Sequence, residues 1–155
     1  MKEYHIYYIK DEFADHYYFK CDLLFRFIQA YHEEKDRPDL ASQFNYITNK
    51  FPEDLIQAIK SKLKRTSSYF VDNESPNCLK IQSGNRQLIL FIYKEEMIMQ
   101  CDSLHDAEVI LFPSLRGVYP CLFIIGPLVN EYGWISPEIN KFPSLEKEEV
   151  LYSYL

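Results

Sequence analysis

A short alternating strand, Tyr4-His5-Ile6-Tyr7-Tyr8-Ile9, runs straight into an aromatic-dense segment from Asp11 to His32 with helical periodicity. This junction constrains the fold more than any other part of the chain. Alternation puts successive side chains on opposite faces of a sheet. In the segment that follows, Phe13, Tyr17, Cys21, Leu24, Ile28 and Tyr31 recur at spacings of three and four, which gathers them on one face of a helix. That stripe reads as mostly core. Tyr18 and Phe19 fall outside it, among Asp15, Asp22 and Arg26, so the first turns are expected to show aromatic surface to solvent or to a partner.

Three helices are expected after the first strand. Pro38-Asp39 opens the second, to about residue 49, and Pro52-Glu53-Asp54 opens the third, to about Lys64, each with proline near the first helical position and acids in the first turn. The segment Thr66–Asn85 is rich in turn formers, with short strands expected at 68–71 and 78–82. Gln87–Tyr93 and Met97–Cys101 form a hairpin across Lys94-Glu95-Glu96. Ser103-Leu104-His105-Asp106 has the form of a capping box and leads a helix to about Arg116, which Pro113 should kink or end. Cys121–Ile125 is continuously apolar between Pro120 and Gly126-Pro127, as a strand buried on both faces would be, and its position after a helix implies a crossover. The expected fold is α/β: one layered domain over 1–155, a mixed sheet of about five strands with helices packed on it, and a loosely docked tail at 144–155.

At 155 residues the chain can bury about two-thirds of the surface it exposes when unfolded, so its core requires neither disulfide nor metal. Cys21, Cys78, Cys101 and Cys121 lack C-x-x-C spacing and read as reduced core thiols of a cytoplasmic protein. The N-terminus shows no cleavable signal pattern, and the longest apolar run, Cys121–Val129, is far short of the ~20 residues that span a bilayer. A formal charge of −6 argues against nucleic-acid binding, which draws on Lys and Arg to release counterions. The cluster Lys60, Lys62, Lys64 and Arg65 is better read as complementing a helix C-terminus.

No motif carries enzyme chemistry. There is no phosphate-cradling glycine loop, no G-x-S-x-G and no H-E-x-x-H, and His5, His16, His32 and His105 lack metal-ligand spacing. No catalytic, cofactor-binding or metal-binding residue is therefore assigned. Asp102 and Asp106 beside His105 fit helix capping better than acid/base work. Tyr132-Gly133-Trp134 reads as a tight loop that lays its rings against the sheet. Two other readings remain open: a ligand pocket near Tyr132 and Trp134, and self-association through the aromatic helix.

The run Tyr8-Ile9-Lys10-Asp11-Glu12-Phe13-Ala14-Asp15-His16-Tyr17, continued by Phe27-Ile28-Gln29-Ala30-Tyr31-His32, closely resembles the start of the SirA family, sporulation inhibitors of replication in Bacillus-type endospore formers. Tyr46-Ile47-Thr48 fits in the same order. So does Tyr132-Gly133-Trp134-Ile135-Ser136-Pro137, where the family pattern reads Tyr-Gly-Trp-Leu-Asn-Pro. The resemblance implies a protein-binding inhibitor, monomeric until it meets its partner, the N-terminal domain of the replication initiator DnaA. Carried over by motif, the contact surface comprises Phe13 and Tyr17, with Ala14 between them allowing close approach, and Gln43 and Tyr46 from the second helix. Tyr18 joins them as the ring outside the stripe, and Pro137 closes the last motif. The neighbours of Gln43, Ser42 and Phe44, depart from the family run.

Overall fold

The computed structural model describes residues 1–65, 69–126, 128 and 130–135. The chain runs β1 (Lys2–Ile9), α1 (Asp11–Tyr17), α2 (Cys21–Glu33), α3 (Pro38–Ile47), β2 (Thr48–Asn49), α4 (Leu55–Lys64), β3 (Phe70–Ser75), β4 (Cys78–Ser83), β5 (Arg86–Ile92), β6 (Met97–Cys101), α5 (Leu104–Ile110), α6 (Phe112–Arg116), β7 (Leu122–Gly126) and β8 (Glu131–Trp134). The strands form one eight-stranded sheet in the order β3-β4-β5-β6-β1-β7-β8, with β2 also paired to β1.

The α/β class holds, but the sheet is larger than the five strands expected and it is not mixed. Every strand pairing among the described residues is antiparallel. The crossover nevertheless exists. Both β6 and β7 are antiparallel to β1, which lies between them, so they run parallel to each other and α5–α6 carries the chain over β1 from one to the other. On one edge β1 pairs β6 from Lys2↔Cys101 to Ile6↔Met97 and then β2 at Tyr8↔Asn49. On the other edge it pairs β7 from His5↔Ile125 to Tyr8↔Leu122.

The alternation of β1 divides the core. Tyr4 and Ile6 face one apolar cluster with Leu55, Ile59 and Leu63 of α4, Leu88, Leu90 and Met99 of the sheet, and Ile110, Phe112 and Leu115 of α5–α6. Tyr7 and Ile9 face the other, with Leu24, Phe25 and Ile28 of α2, Phe44 and Ile47 of α3, and Phe123 and Trp134. All five residues of β7 are buried, as its unbroken apolar run requires. The helices α1–α3 cover β1, β7 and β8. Farther along that same face, Ile89 and Phe91 of β5 and Ile98 of β6 are only half-buried.

The single helix expected from Asp11 to His32 is two, separated at 18–20. In a continuous helix the Tyr18 carbonyl would accept the amide of residue 22. Here the indole Nε1–H of Trp134 donates to it at 3.2 Å and the Cys21 thiol at 3.5 Å, while Lys20 leaves helical geometry at φ −123°, ψ 46°. The break shifts the buried stripe to Ala14, Tyr18, Cys21, Leu24, Phe25 and Ile28. The expected exposure of Tyr18 is thereby overturned: its ring is 4% exposed and stacks on Trp134, with centroids 6.2 Å apart. Phe19, at 43%, is exposed as expected.

The second break follows from proline. Pro113 lies in the first turn of α6, and the Val109 carbonyl that its missing N–H would have satisfied accepts the Tyr69 hydroxyl instead, at 3.0 Å. Tyr69→Phe should therefore cost about 1 kcal/mol in urea unfolding, the value of one hydrogen bond whose acceptor is partly buried; an unchanged midpoint would show that water replaces the hydroxyl at no cost. Ser103 caps α5 by accepting the Asp106 amide at 3.3 Å, and Asp106 also accepts Arg86 Nε–H at 3.1 Å, so that acid is tied into the fold. Lys62 and Lys64 stand in the last turn of α4, where they complement its dipole. The turn read at Ser83-Gly84-Asn85 joins β4 to β5, with Gly84 at φ 61°, a conformation that favours glycine. Tyr132-Gly133-Trp134, read as a loop, is part of strand β8. The tail expected at 144–155 lies outside the described residues.

All four cysteines are buried thiols outside any disulfide. Burial pushes the Cys101 thiol up to about 12, so it stays protonated and unreactive. No helix among the described residues is long and apolar enough to cross a membrane.

Candidate protein-interaction surface

The start of α1 and the outer face of α3 meet at the mouth of the second core cluster. The Lys10 amide donates to the Ile47 carbonyl at 2.9 Å, joining the approach to α1 with the end of α3. The Lys10 carbonyl in turn accepts the amides of Phe13 and Ala14 at 3.0 and 2.9 Å, which starts α1 at a fixed angle. Phe44 and Ile47 anchor α3 from beneath; Phe44 stacks on Tyr31 at 4.2 Å and meets the edge of Tyr7 at 5.6 Å. The surface above them thus rests on closely packed rings.

On that support Phe13 and Tyr46 meet edge to face, with centroids 5.2 Å apart at 64°. Phe13 is half-buried, whereas Tyr46 is 66% exposed. The Lys10 ammonium lies 5.4 Å from the Tyr46 ring, a cation–π arrangement. Tyr17, one turn along α1 from Phe13, is half-buried and meets the edge of the exposed His16 ring at 4.8 Å. Gln43 is exposed three residues before Tyr46, a spacing that shares a helix face. Asp11, Glu12 and Asp15 supply an exposed acidic rim. A shallow depression of about 350 Å³, lined by Tyr8, Lys10, Asp11, Glu12 and Asn49, adjoins the rings through Lys10.

The fold therefore gathers Phe13, Tyr17, Gln43 and Tyr46 from two helices. Of the rest of the expected set, Ala14 and Tyr18 are buried. Ala14 is 4% exposed, so its small side chain lets α1 approach the sheet and presents nothing to a partner. Tyr18 belongs to the core, and Pro137 lies outside the described residues. No sequence pattern marks Lys10, whose role depends on Tyr46 being nearby in space. Leu23, likewise unmarked, adds apolar exposure on α2 at 46%.

The ring pair anticipated at a ligand pocket is packed instead. Trp134 is 1% exposed, against Phe123 at 5.0 Å, and Tyr132 stacks on Phe25 at 4.4 Å and 12°. What the α1–α3 surface offers is contact: two adjoining rings, a phenol hydroxyl, an amide and flanking charge.

A family model described as sporulation inhibitor of replication protein SirA matches residues 2–138, a span that encloses every element of this surface. The chain is also 31% identical over 142 residues to the sporulation inhibitor of replication protein SirA of Bacillus subtilis (strain 168), an alignment covering 88% of this chain and 94% of that protein. On both grounds the chain belongs to the SirA family.

Proposed function

We propose that this protein inhibits the initiation of chromosome replication during sporulation, acting in the cytoplasm as a monomer that binds the N-terminal domain of DnaA through Phe13, Tyr17, Gln43 and Tyr46. The observation that carries the reading is Tyr46: a large ring 66% exposed yet held in place by Phe13 and Lys10. A preorganised aromatic anchor gives large contact area at small entropic cost, which is the property binding hot spots share. Family membership supplies the process, and the negative overall charge supports a protein partner over DNA.

Inhibition follows by occlusion. Covering a face of the initiator used for helicase recruitment or by other regulators stops assembly at the origin without contact to DNA. Isothermal titration of the full chain into the isolated N-terminal domain of DnaA from the same organism should show saturable one-to-one binding. A helicase-loading partner of that domain should then compete. Simultaneous binding of both without mutual weakening would replace occlusion with an allosteric mechanism, and absence of binding to a folded domain would remove DnaA as the target.

A further inference from the structure

Three residues far apart in the chain converge on the sheet beside the end of α2. His5 on β1, His32 in the last turn of α2 and Glu96 in the β5–β6 turn each offer a ligand atom, and these atoms all lie within 4.8 Å of one another. His5 Nδ1 is 2.5 Å from Glu96 Oε1, and the two imidazole centroids are 5.4 Å apart. The Tyr7 hydroxyl bonds His32 Nε2 and lies 3.4 Å from Glu96 Oε1. None of the three is sealed from water: the His5 and Glu96 side chains are 16% and 22% exposed, and His32 is half-buried.

The geometry points to a binding site for a single divalent transition-metal ion, Zn²⁺ being the best fit, held by His5 Nδ1, an imidazole nitrogen of His32 and the Glu96 carboxylate. Two imidazoles and a carboxylate are a donor set that suits zinc, and three protein ligands leave a fourth position for water. Zinc bonds of about 2.0–2.1 Å place tetrahedral ligands roughly 3.3 Å apart. The pair His5–Glu96 must open slightly and the remaining distances must shorten, changes that rotation of these partly exposed side chains supplies.

The surroundings match such a site. The other ring nitrogen of His5, Nε2, lies 3.2 Å from Glu3 Oε1, the carboxylate–histidine arrangement that fixes the ring and tautomer of a ligating histidine.

An ion here would join α2 to β1 and the β5–β6 turn. Tyr7 and Tyr31, which border the cluster, are the rings that support Phe44 beneath α3. Occupancy would therefore stiffen the layer that carries Tyr46. Spacing in the sequence gives no sign of this site, because its ligands are 27 and 64 residues apart and only the pairing of β1 with β6, together with the packing of α2, unites them.

The test uses the full chain, stripped with chelator and titrated with ZnCl₂ in a non-coordinating buffer. One equivalent should bind with micromolar or tighter Kd and raise the melting temperature. His32→Gln and Glu96→Gln should each weaken binding at least tenfold, whereas His105→Gln, at an exposed histidine elsewhere, should leave it unchanged. Circular dichroism establishes that each variant is folded. Co²⁺ loading of the unaltered protein provides a readout independent of the variants: visible bands of four- or five-coordinate nitrogen and oxygen ligation support the site. Intense near-ultraviolet thiolate bands would move the ion to the cysteines and overturn it. Failure to bind either ion, or binding that folded His32→Gln and Glu96→Gln variants both retain, would equally overturn it.

Discussion

Tyr46→Ala is expected to weaken binding to the N-terminal domain of DnaA by about 2 kcal/mol or more, roughly thirtyfold in Kd, while shifting folding stability by less than about 0.5 kcal/mol. The two effects separate because the Tyr46 ring is 66% exposed and makes its named contacts with Phe13 and Lys10 at the surface. Phe13→Ala should cost about as much in binding but also about 1 kcal/mol in stability, since that ring is partly buried. Because the two rings touch, the double variant should lose less than the sum of the single losses. Gln43→Ala, at the exposed rim, should cost under about 1 kcal/mol. Titration calorimetry of each variant, with urea unfolding in parallel, checks all of these values. Undiminished binding by a folded Tyr46→Ala variant would move the contact surface away from α1 and α3.

Reading a surface from sequence succeeds where local periodicity decides the answer and fails where a distant group does. The division of the core follows from the alternation of β1 alone, with Tyr4 and Ile6 on one side and Tyr7 and Ile9 on the other. The apolar run of β7, the Ser103 cap and the break at Pro113 are likewise local, and all were legible. The break between α1 and α2 was not. It depends on an indole N–H from Trp134, 116 residues away, taking the Tyr18 carbonyl. A wheel drawn through Asp11–His32 must therefore place Tyr18 wrongly. The strand count came out low for related reasons. β2 is two residues long and Gly133 made β8 look like a loop, while β3, expected at 68–71, runs on through the polar Asp72–Ser75, which resembles a turn. Each of these is a strand only because a neighbouring strand offers it hydrogen bonds. The mixed sheet was expected because a helix precedes β7; β1, inserted between β6 and β7, makes both adjoining pairs antiparallel.

Trp134→Ala should have the largest effect on stability, about 3–5 kcal/mol by urea unfolding followed by circular dichroism. The indole is 1% exposed, lies between Phe123 at 5.0 Å and Tyr18 at 6.2 Å, and donates its N–H to the backbone at the α1–α2 break. Truncation leaves a cavity beneath α1 and α2 and leaves the Tyr18 carbonyl to the weaker Cys21 thiol donor at 3.5 Å. Against a total of roughly 5–15 kcal/mol for a domain of this kind, that is a large share. Trp134→Phe, which keeps most of the ring but not the N–H, should cost about 1–2 kcal/mol, so the difference between the two variants measures packing separately from the hydrogen bond. The same change should reach the binding surface indirectly. Tyr18 follows the last residue of α1, so freeing it loosens the helix that presents Phe13 and Tyr17. Trp134→Ala should consequently lose affinity in proportion to its loss of folded structure, in contrast with Tyr46→Ala, which loses affinity while fully folded. A Trp134→Ala variant within about 1 kcal/mol of the unaltered protein would show that the α1–α2 break is held by other contacts and that the indole merely occupies it.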